Sequence, residues 1–298
     1  MLYIDTGSST VKLYEWKEGK VKLLNTKSFD FKKDFNPDDG LSEQGERELV
    51  NYFLNIRNNY PDTEIKVFAT AIFRKMSKPA LRKLSEKILQ ITGLHFDVIS
   101  QELEGFYLEQ ALSVRYISNK PLLLINIGGG STELIIKQDG EVLERVYLEL
   151  GVRTVLARFP HINDEISKHS LEEVLKFVKT KLPQKTIVTP VAIYNGGELT
   201  YMEVAGYDLD KNEVFEDIDH PRMINLAKFQ ARNREIFQSV QLSELEKYMP
   251  EDPLWMHGAR ACSAIAQAIC EKFQVKTIVP SDSNTVHGIV RQELLVRD

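Results

Sequence analysis

The sequence predicts an α/β protein built from two related halves. Three observations carry this. A strand–turn–strand–turn pattern occurs twice, the copies lie 121 residues apart without a gap, and each copy runs on into alternating helical and strand signals. The first copy reads Leu2-Tyr-Ile-Asp-Thr-Gly-Ser-Ser-Thr-Val-Lys-Leu-Tyr-Glu-Trp-Lys-Glu-Gly-Lys-Val, and the second Leu123-Leu-Ile-Asn-Ile-Gly-Gly-Gly-Ser-Thr-Glu-Leu-Ile-Ile-Lys-Gln-Asp-Gly-Glu-Val. Ile4 matches Ile125, Gly7 matches Gly128, Leu13 matches Leu134, Gly19 matches Gly140 and Val21 matches Val142. Each copy is an apolar strand, a Gly-rich turn, an alternating strand and a second turn ending in glycine, which is two linked hairpins.

The elements that follow have their own local causes. Leu49, Phe53 and Ile56 recur at helical spacing, and Leu81, Leu84, Ile88 and Ile91 mark a helix over Pro79–Ile91 capped by Ser77. His95–Ile99 reads as a strand and the run from Glu102 as a helix, so the first half is βββαβαβα. In the second half Ser170-Leu-Glu-Glu is a capping box before Val174, Leu175 and Val178. Thr186–Tyr194 reads as a strand, Tyr201–Tyr248 as a polar and mainly helical insert, Ala259–Phe273 as a helix, Thr277–Val279 as a short strand and Thr285–Val296 as a final helix. The expected domains are 1–117 and 118–283, with a hinge between Val114 and Lys120, an insert at about 201–248, and the helix at 284–298 packing back on the first domain.

Composition bounds the function. With 298 residues, 43% hydrophobic and 27% charged, the chain has the makeup of a two-domain globular protein. Its net charge of −5 gives no general attraction to nucleic acid or an anionic membrane, so any anion must be held locally. The longest apolar stretch, Pro121–Ile127, falls far short of the roughly 20 residues that span a bilayer, and Met1-Leu-Tyr-Ile-Asp lacks the start of a signal peptide. A cytoplasmic location is expected. Cys262 and Cys270 on one helix would lie about 12 Å apart, too far for a disulfide. His95, His161, His169 and His220 occupy strand edges or polar loops without zinc-ligand spacing, while His257 and His287 each sit beside a glycine near a helix start.

The Gly-rich turns expose consecutive backbone N–H groups, and glycine lets a ligand approach closely, so both suit phosphate. A third turn, Tyr194-Asn-Gly-Gly-Glu, ends another strand where α/β sheets commonly bind ligands. Taken in order, Ile4-Asp-Thr-Gly-Ser-Ser, Ala69-Thr-Ala-Ile-Phe-Arg74, Ile99-Ser-Gln-Glu-Leu-Glu-Gly105, Ile125-Asn-Ile-Gly-Gly-Gly-Ser-Thr-Glu-Leu134, Leu150-Gly151-Val-Arg, Gly196-Gly197 and Ser281-Asp282 resemble the Ppx/GppA phosphatases. These are the exopolyphosphatases and guanosine pentaphosphate phosphohydrolases of the actin-like ATPase superfamily, here in a short two-domain form.

The resemblance implies two actin-like (RNase H-like) domains flanking a cleft that holds a chain of phosphates, with water attacking the terminal phosphorus. Glu104 falls on the family's catalytic glutamate and would act as general base. Gly7, Ser8, Ser9, Thr10, Arg74, Gly128, Gly129, Gly130, Ser131, Thr132, Gly196 and Gly197 would bind phosphate. Asp5, Asn126 and Glu133 would hold Mg²⁺ or Mn²⁺. Asn126 stands where the family usually has Asp, and Gln101-Glu-Leu-Glu-Gly lacks one of two adjacent family glutamates. Expected ligands are polyphosphate or guanosine penta- and tetraphosphate, with no nucleic acid or membrane partner and a homodimer left open. The alternatives are a non-hydrolysing polyphosphate- or nucleotide-binding regulator and an actin-like small-molecule kinase.

Overall fold

The computed structural model describes residues 1–8, 10–250 and 252–297. The chain forms two compact units, one of Met1–Ala111 with the C-terminal helix from Thr285, the other of Leu112–Asn284. In chain order the first unit contains β1 (Leu2–Thr6), β2 (Thr10–Lys17), β3 (Lys20–Ser28), α1 (Glu43–Asn59), β4 (Ile65–Ala69), a 3-10 helix (Ala71–Lys75), α2 (Lys78–Thr92), β5 (Phe96–Val98) and α3 (Gln101–Ser113), whose last turn passes into the second unit. The second contains β6 (Leu122–Ile127), β7 (Thr132–Gln138), β8 (Glu141–Leu148), α4 (Val152–Arg158), α5 (Leu171–Lys179), β9 (Val191–Asn195), α6 (Glu198–Val204), β10 (Asp210–Lys211), β11 (Arg222–Asn225), α7 (Leu226–Gln238), α8 (Leu242–Lys247), a 3-10 helix (Pro253–Gly258), α9 (Ala259–Lys272) and β12 (Thr277–Ser281). The final helix, α10 (Thr285–Arg297), returns to the first unit.

Among the described residues, the first unit has a sheet in the order β3-β2-β1-β4-β5 and the second a sheet in the order β10-β11-β12-β9-β6-β7-β8. The duplication is physical. Gly7 N–H donates to the Thr10 carbonyl at 2.9 Å and Gly128 N–H to the Ser131 carbonyl at 2.8 Å. The second turns match as well, with Glu18 and Gly19 at φ 53° and 77°, and Asp139 and Gly140 at 52° and 83°. Two consecutive positive φ values make the two-residue turn whose twist suits a hairpin, and glycine meets the second of them without strain.

Side-chain alternation distributes the cores. Leu2 and Ile4 of β1 bury against α1 and α2 together with Leu49, Phe53 and Leu84, while Tyr3 faces Val286, Ile289 and Val290 of α10. In the second unit Leu123, Ile125 and Ala192 pack against the small-residue face of α9, where Ala261, Ala264, Ile265 and Ala268 are fully buried. Arg260, on the same helix, is also fully buried and donates to the carbonyls of Ile162, Asp164, Glu165, Ile236 and Val240, tying the loop between α4 and α5 and the end of α7 to one guanidinium.

The structure alters several sequence expectations. The Tyr201–Tyr248 segment is not only helical: β10 and β11 lie within it, and β11 pairs antiparallel with β12. Arg222-Met-Ile-Asn is too short to show a strand period. The strand expected at Thr186–Tyr194 begins only at Val191, after Pro190, and the one at His95–Ile99 shortens to Phe96–Val98. Lys137 and Glu109 are buried despite their charge. Ser77 and Ser170 cap α2 and α5 by accepting from Ala80 and Glu173 N–H, as their spacing predicts. No described helix is long and apolar enough to cross a membrane.

Candidate active site

In the first unit β1, β4 and β5 are parallel neighbours, and their register sets Thr6 beside Ala69 and Ala69 beside Val98. The three segments leaving those carboxyl ends are the Gly7 turn, the 3-10 helix bearing Arg74 and the helix α3 bearing Glu104. Ligands of open α/β sheets bind at such an edge. Thr70 N–H donates to Thr6 and Ile99 N–H to Ala69, which locks the three exits together.

Arg74 donates to the Ile99 carbonyl at 3.3 Å and to the Glu104 carboxylate at 2.6 Å. Neither side chain is fully buried, at 25% and 30% exposure, so both are held yet reachable. Arg74 is therefore not a loose surface charge like its neighbour Lys75. The Ser100 hydroxyl accepts from Leu103 N–H at the start of α3, and Glu104 N–H donates to the Ser100 carbonyl. Asp5 sits opposite Lys12 in the β1–β2 register. Burial, reinforced by the charge of Glu104, pushes its carboxyl up to about 6 although Lys12 opposes the shift.

The second unit repeats the arrangement. Asn126 of β6 and Ser281 of β12 both lie beside Asn195 of β9 in parallel register. The exits are the exposed Gly128–Ser131 turn, the Gly196–Gly197 turn and the Asp282 turn. A brace that the sequence reading left without a role supports the first. Val152 and Arg153 N–H donate to the Gly128 and Gly129 carbonyls at 3.1 and 2.8 Å, and a Cβ on Gly151 would come within 2.5 Å of the Gly128 carbonyl oxygen. The Arg153 side chain lies over Gly129, its Nε 3.4 Å from that residue's carbonyl, and adds a cation to the turn. The motif Leu150-Gly151-Val-Arg153 was its visible signal.

The Gly196–Gly197 turn has φ values of 130° and 94°. Trp255 covers Gly197, and the Glu198 carboxylate folds back to within 3.8 Å of where a Cβ on Gly196 would lie. Glu198 is buried; burial chiefly, with the charge of Asp282, pushes its carboxyl up to about 8. It is therefore neutral at pH 7 and does not repel an anion. Asp282 is a cap: its oxygens accept from Leu199 and Thr200 N–H and from the Thr200 hydroxyl.

The predicted binding residues thus fall into two groups. Gly7, Ser8 and Thr10 share the first unit's edge with Asp5, Arg74 and Glu104; Ser9 lies outside the described residues. Gly128, Gly129, Gly130, Ser131, Gly196 and Gly197 share the second unit's edge. Thr132 departs from its predicted role: it is buried, and its hydroxyl donates to the Leu150 carbonyl at 2.6 Å, which ties the turn to the strand end preceding Gly151.

The expected metal set divides between the units. Asn126 and Glu133 are cross-strand partners on β6 and β7, but Glu133 has the Arg145 guanidinium 3.9 Å away, a fixed cation that competes with a metal. Among the described residues no three His, Cys, Asp or Glu side chains gather to hold a metal ion. Asp5 does fit a hard cation carried on phosphate oxygens, because Mg²⁺ commonly takes only one or two carboxylates from the protein.

The Ppx/GppA phosphatase family model matches residues 33–295. The chain belongs to the Ppx/GppA phosphatase family. Solved structures agree on the fold. The crystal structure of the type II variant of the Aquifex aeolicus Ppx/GppA phosphatase aligns at 19% identity and TM-score 0.76, covering 98% of both chains. An exopolyphosphatase from Cytophaga hutchinsonii aligns at 15% identity and TM-score 0.71, covering 98% of this chain and 97% of its own. The shared fold is the actin-like one, two α/β units each opening with a meander. In this family member the Gly7 turn between β1 and β2 and the Gly128–Ser131 turn between β6 and β7 are the duplicated feature, each at the carboxyl edge of its own unit's sheet.

Proposed function

We propose that the protein removes the terminal phosphate from a phosphoanhydride chain, inorganic polyphosphate or guanosine pentaphosphate, with Glu104 as general base. The observation that carries the reading is the Arg74–Glu104 pair at 2.6 Å, on the sheet edge that also presents Asp5 and the Gly7 turn. Arg74's planar fork suits phosphate oxygens, and a phosphate that takes up the guanidinium releases the Glu104 carboxylate to orient a water and accept its proton. Each unit's glycine turn, with Arg153 beside the second, offers backbone N–H groups to phosphate oxygens. Glu198, protonated at pH 7, adds no charge of its own beside the Gly196 turn. Mg²⁺ or Mn²⁺ supplies charge neutralisation when bound, and Asp5 is the residue that would hold it.

Phosphate release from polyphosphate, guanosine pentaphosphate and ATP, each with Mg²⁺, Mn²⁺ and chelator, tests the proposal. Metal-dependent release from either of the first two supports it. Tight binding of those ligands without release supports the regulator reading, which the uncharged Asn126 and the Arg145 partner of Glu133 favour.

A further inference from the structure

The second unit holds a buried Asp–His–Ser relay. Asp217 Oδ2 lies 3.0 Å from His220 Nδ1, and His220 Nε2 lies 2.9 Å from Ser281 Oγ. Those separations match the geometry of a serine-hydrolase triad. Burial rules that chemistry out, since both His220 and Ser281 are 0% exposed and no substrate carbonyl reaches the hydroxyl. Ser281 Oγ is also engaged from another side, accepting from Ser283 N–H at 3.1 Å. The polarity of the chain follows. With a neutral imidazole, His220 donates through Nδ1–H to Asp217 and accepts the Ser281 hydroxyl proton at Nε2, which leaves a Ser281 lone pair for Ser283 N–H.

What this relay holds is the turn at the end of β12. Within that turn Asp282 grips the Leu199 and Thr200 amides and the Thr200 hydroxyl, while the Ser283 carbonyl accepts from Asn195 Nδ2 at 3.4 Å. Asn195 and Leu199 bracket Gly196 and Gly197. Two residues with positive φ have little conformational preference of their own, so their shape depends on what clamps the residues beside them. The loop bearing His220 is fixed in turn: Asn212 Nδ2 donates to the His220 carbonyl, and Asp217 accepts from the His220 and Asp219 amides.

We propose that His220 is a positioning residue, which through Ser281 fixes the Asp282 turn and so presets the Gly196–Gly197 turn for its ligand. This rests on the reading of that turn as part of the phosphate site. The relay turns triad geometry to orientation: the carboxylate sets the imidazole tautomer, and the imidazole sets the hydroxyl rotor.

The test uses the full chain with Ser281→Ala, Ser281→Thr and His220→Gln. Hydrogen exchange is measured at the Leu199 and Thr200 amides without substrate, and KM and kcat are measured with polyphosphate. Ser281→Ala and His220→Gln should accelerate exchange at both amides at least about tenfold while α9 amides keep their protection. KM should rise about tenfold with kcat within about twofold, and Ser281→Thr, which keeps the hydroxyl, should restore both. Exchange unchanged at Leu199 and Thr200 in folded Ser281→Ala overturns the proposal whatever the kinetics. Accelerated exchange together with loss of α9 protection in both variants also overturns it, since the relay then only stabilises the unit. Accelerated exchange confined to the two amides, in a wild-type protein that neither binds nor cleaves polyphosphate, upholds the relay and defeats the phosphate reading alone.

Discussion

Arg74 and Glu104 are partners, joined at 2.6 Å across 30 residues of sequence. A half-exposed pair of this kind is worth little to stability, commonly no more than about 1 kcal/mol. Its consequence is positional, because it parks a phosphate-seeking cation and a base at one point.

Glu104→Gln keeps the size and the acceptor oxygen facing Arg74 but cannot take a proton. Phosphate release should fall roughly 10²–10⁴-fold while polyphosphate affinity changes less than about threefold. Release assays paired with calorimetry check this, and undiminished turnover in the folded variant removes Glu104 from the chemistry.

Arg74→Ala should weaken polyphosphate binding at least about tenfold, and Arg74→Lys should recover only part, since an ammonium lacks the fork. The exposed Lys20 serves as the control. Equal losses for Arg74→Ala and Lys20→Ala over a salt series would mean diffuse attraction.

Glu198 predicts a pH dependence of stability. Its carboxyl holds a proton to about pH 8 in the folded protein but releases it near 4.5 when unfolded. Between those values the folded state carries the extra proton, so stability falls as pH rises, by roughly 3 kcal/mol at pH 7 for this group. Glu198→Gln should flatten the curve from pH 4.5 to 8 relative to wild type. Urea midpoints across that range measure it, and parallel curves for the two proteins are the contrary result.

Restoring charge with Asn126→Asp places a second carboxylate opposite Glu133, whose own carboxylate lies 3.9 Å from Arg145. Mg²⁺ or Mn²⁺ affinity should rise several-fold, as added anionic oxygen strengthens a hard-cation site. Equal affinities by calorimetry would place Asn126 outside the metal's reach.

Gly288 lets α10 cross α3 closely, since a Cβ there would fall 1.7 Å from the Tyr107 carbonyl oxygen. Arg291 grips the Gln110 and Ala111 carbonyls on the same helix. Gly288→Ala should therefore push α3, which carries Glu104, off its seat and cost about 1–3 kcal/mol. A lowered urea midpoint together with reduced phosphate release is expected, whereas a wild-type midpoint would show that the helices separate without penalty.

The sequence by itself determined the duplicated meander, its glycine turns, the helix caps at Ser77 and Ser170, and the family motifs in their order. Each is written in residues close along the chain, where turn chemistry, periodicity and capping act. Tertiary structure alone decided that Arg74 meets Glu104, that Glu133 faces Arg145, that Thr132 is tied to Leu150, and that Glu198 is buried and neutral at pH 7. It likewise turned His220, a loop histidine in sequence, into the centre of a sealed relay to Ser281, 61 residues away. These outcomes depend on which strands become neighbours and how completely a side chain is withdrawn from water, and no local pattern specifies either. A charge or hydroxyl has the same letter in solvent and in a core, and only the packed surroundings set its proton, its partner and its task.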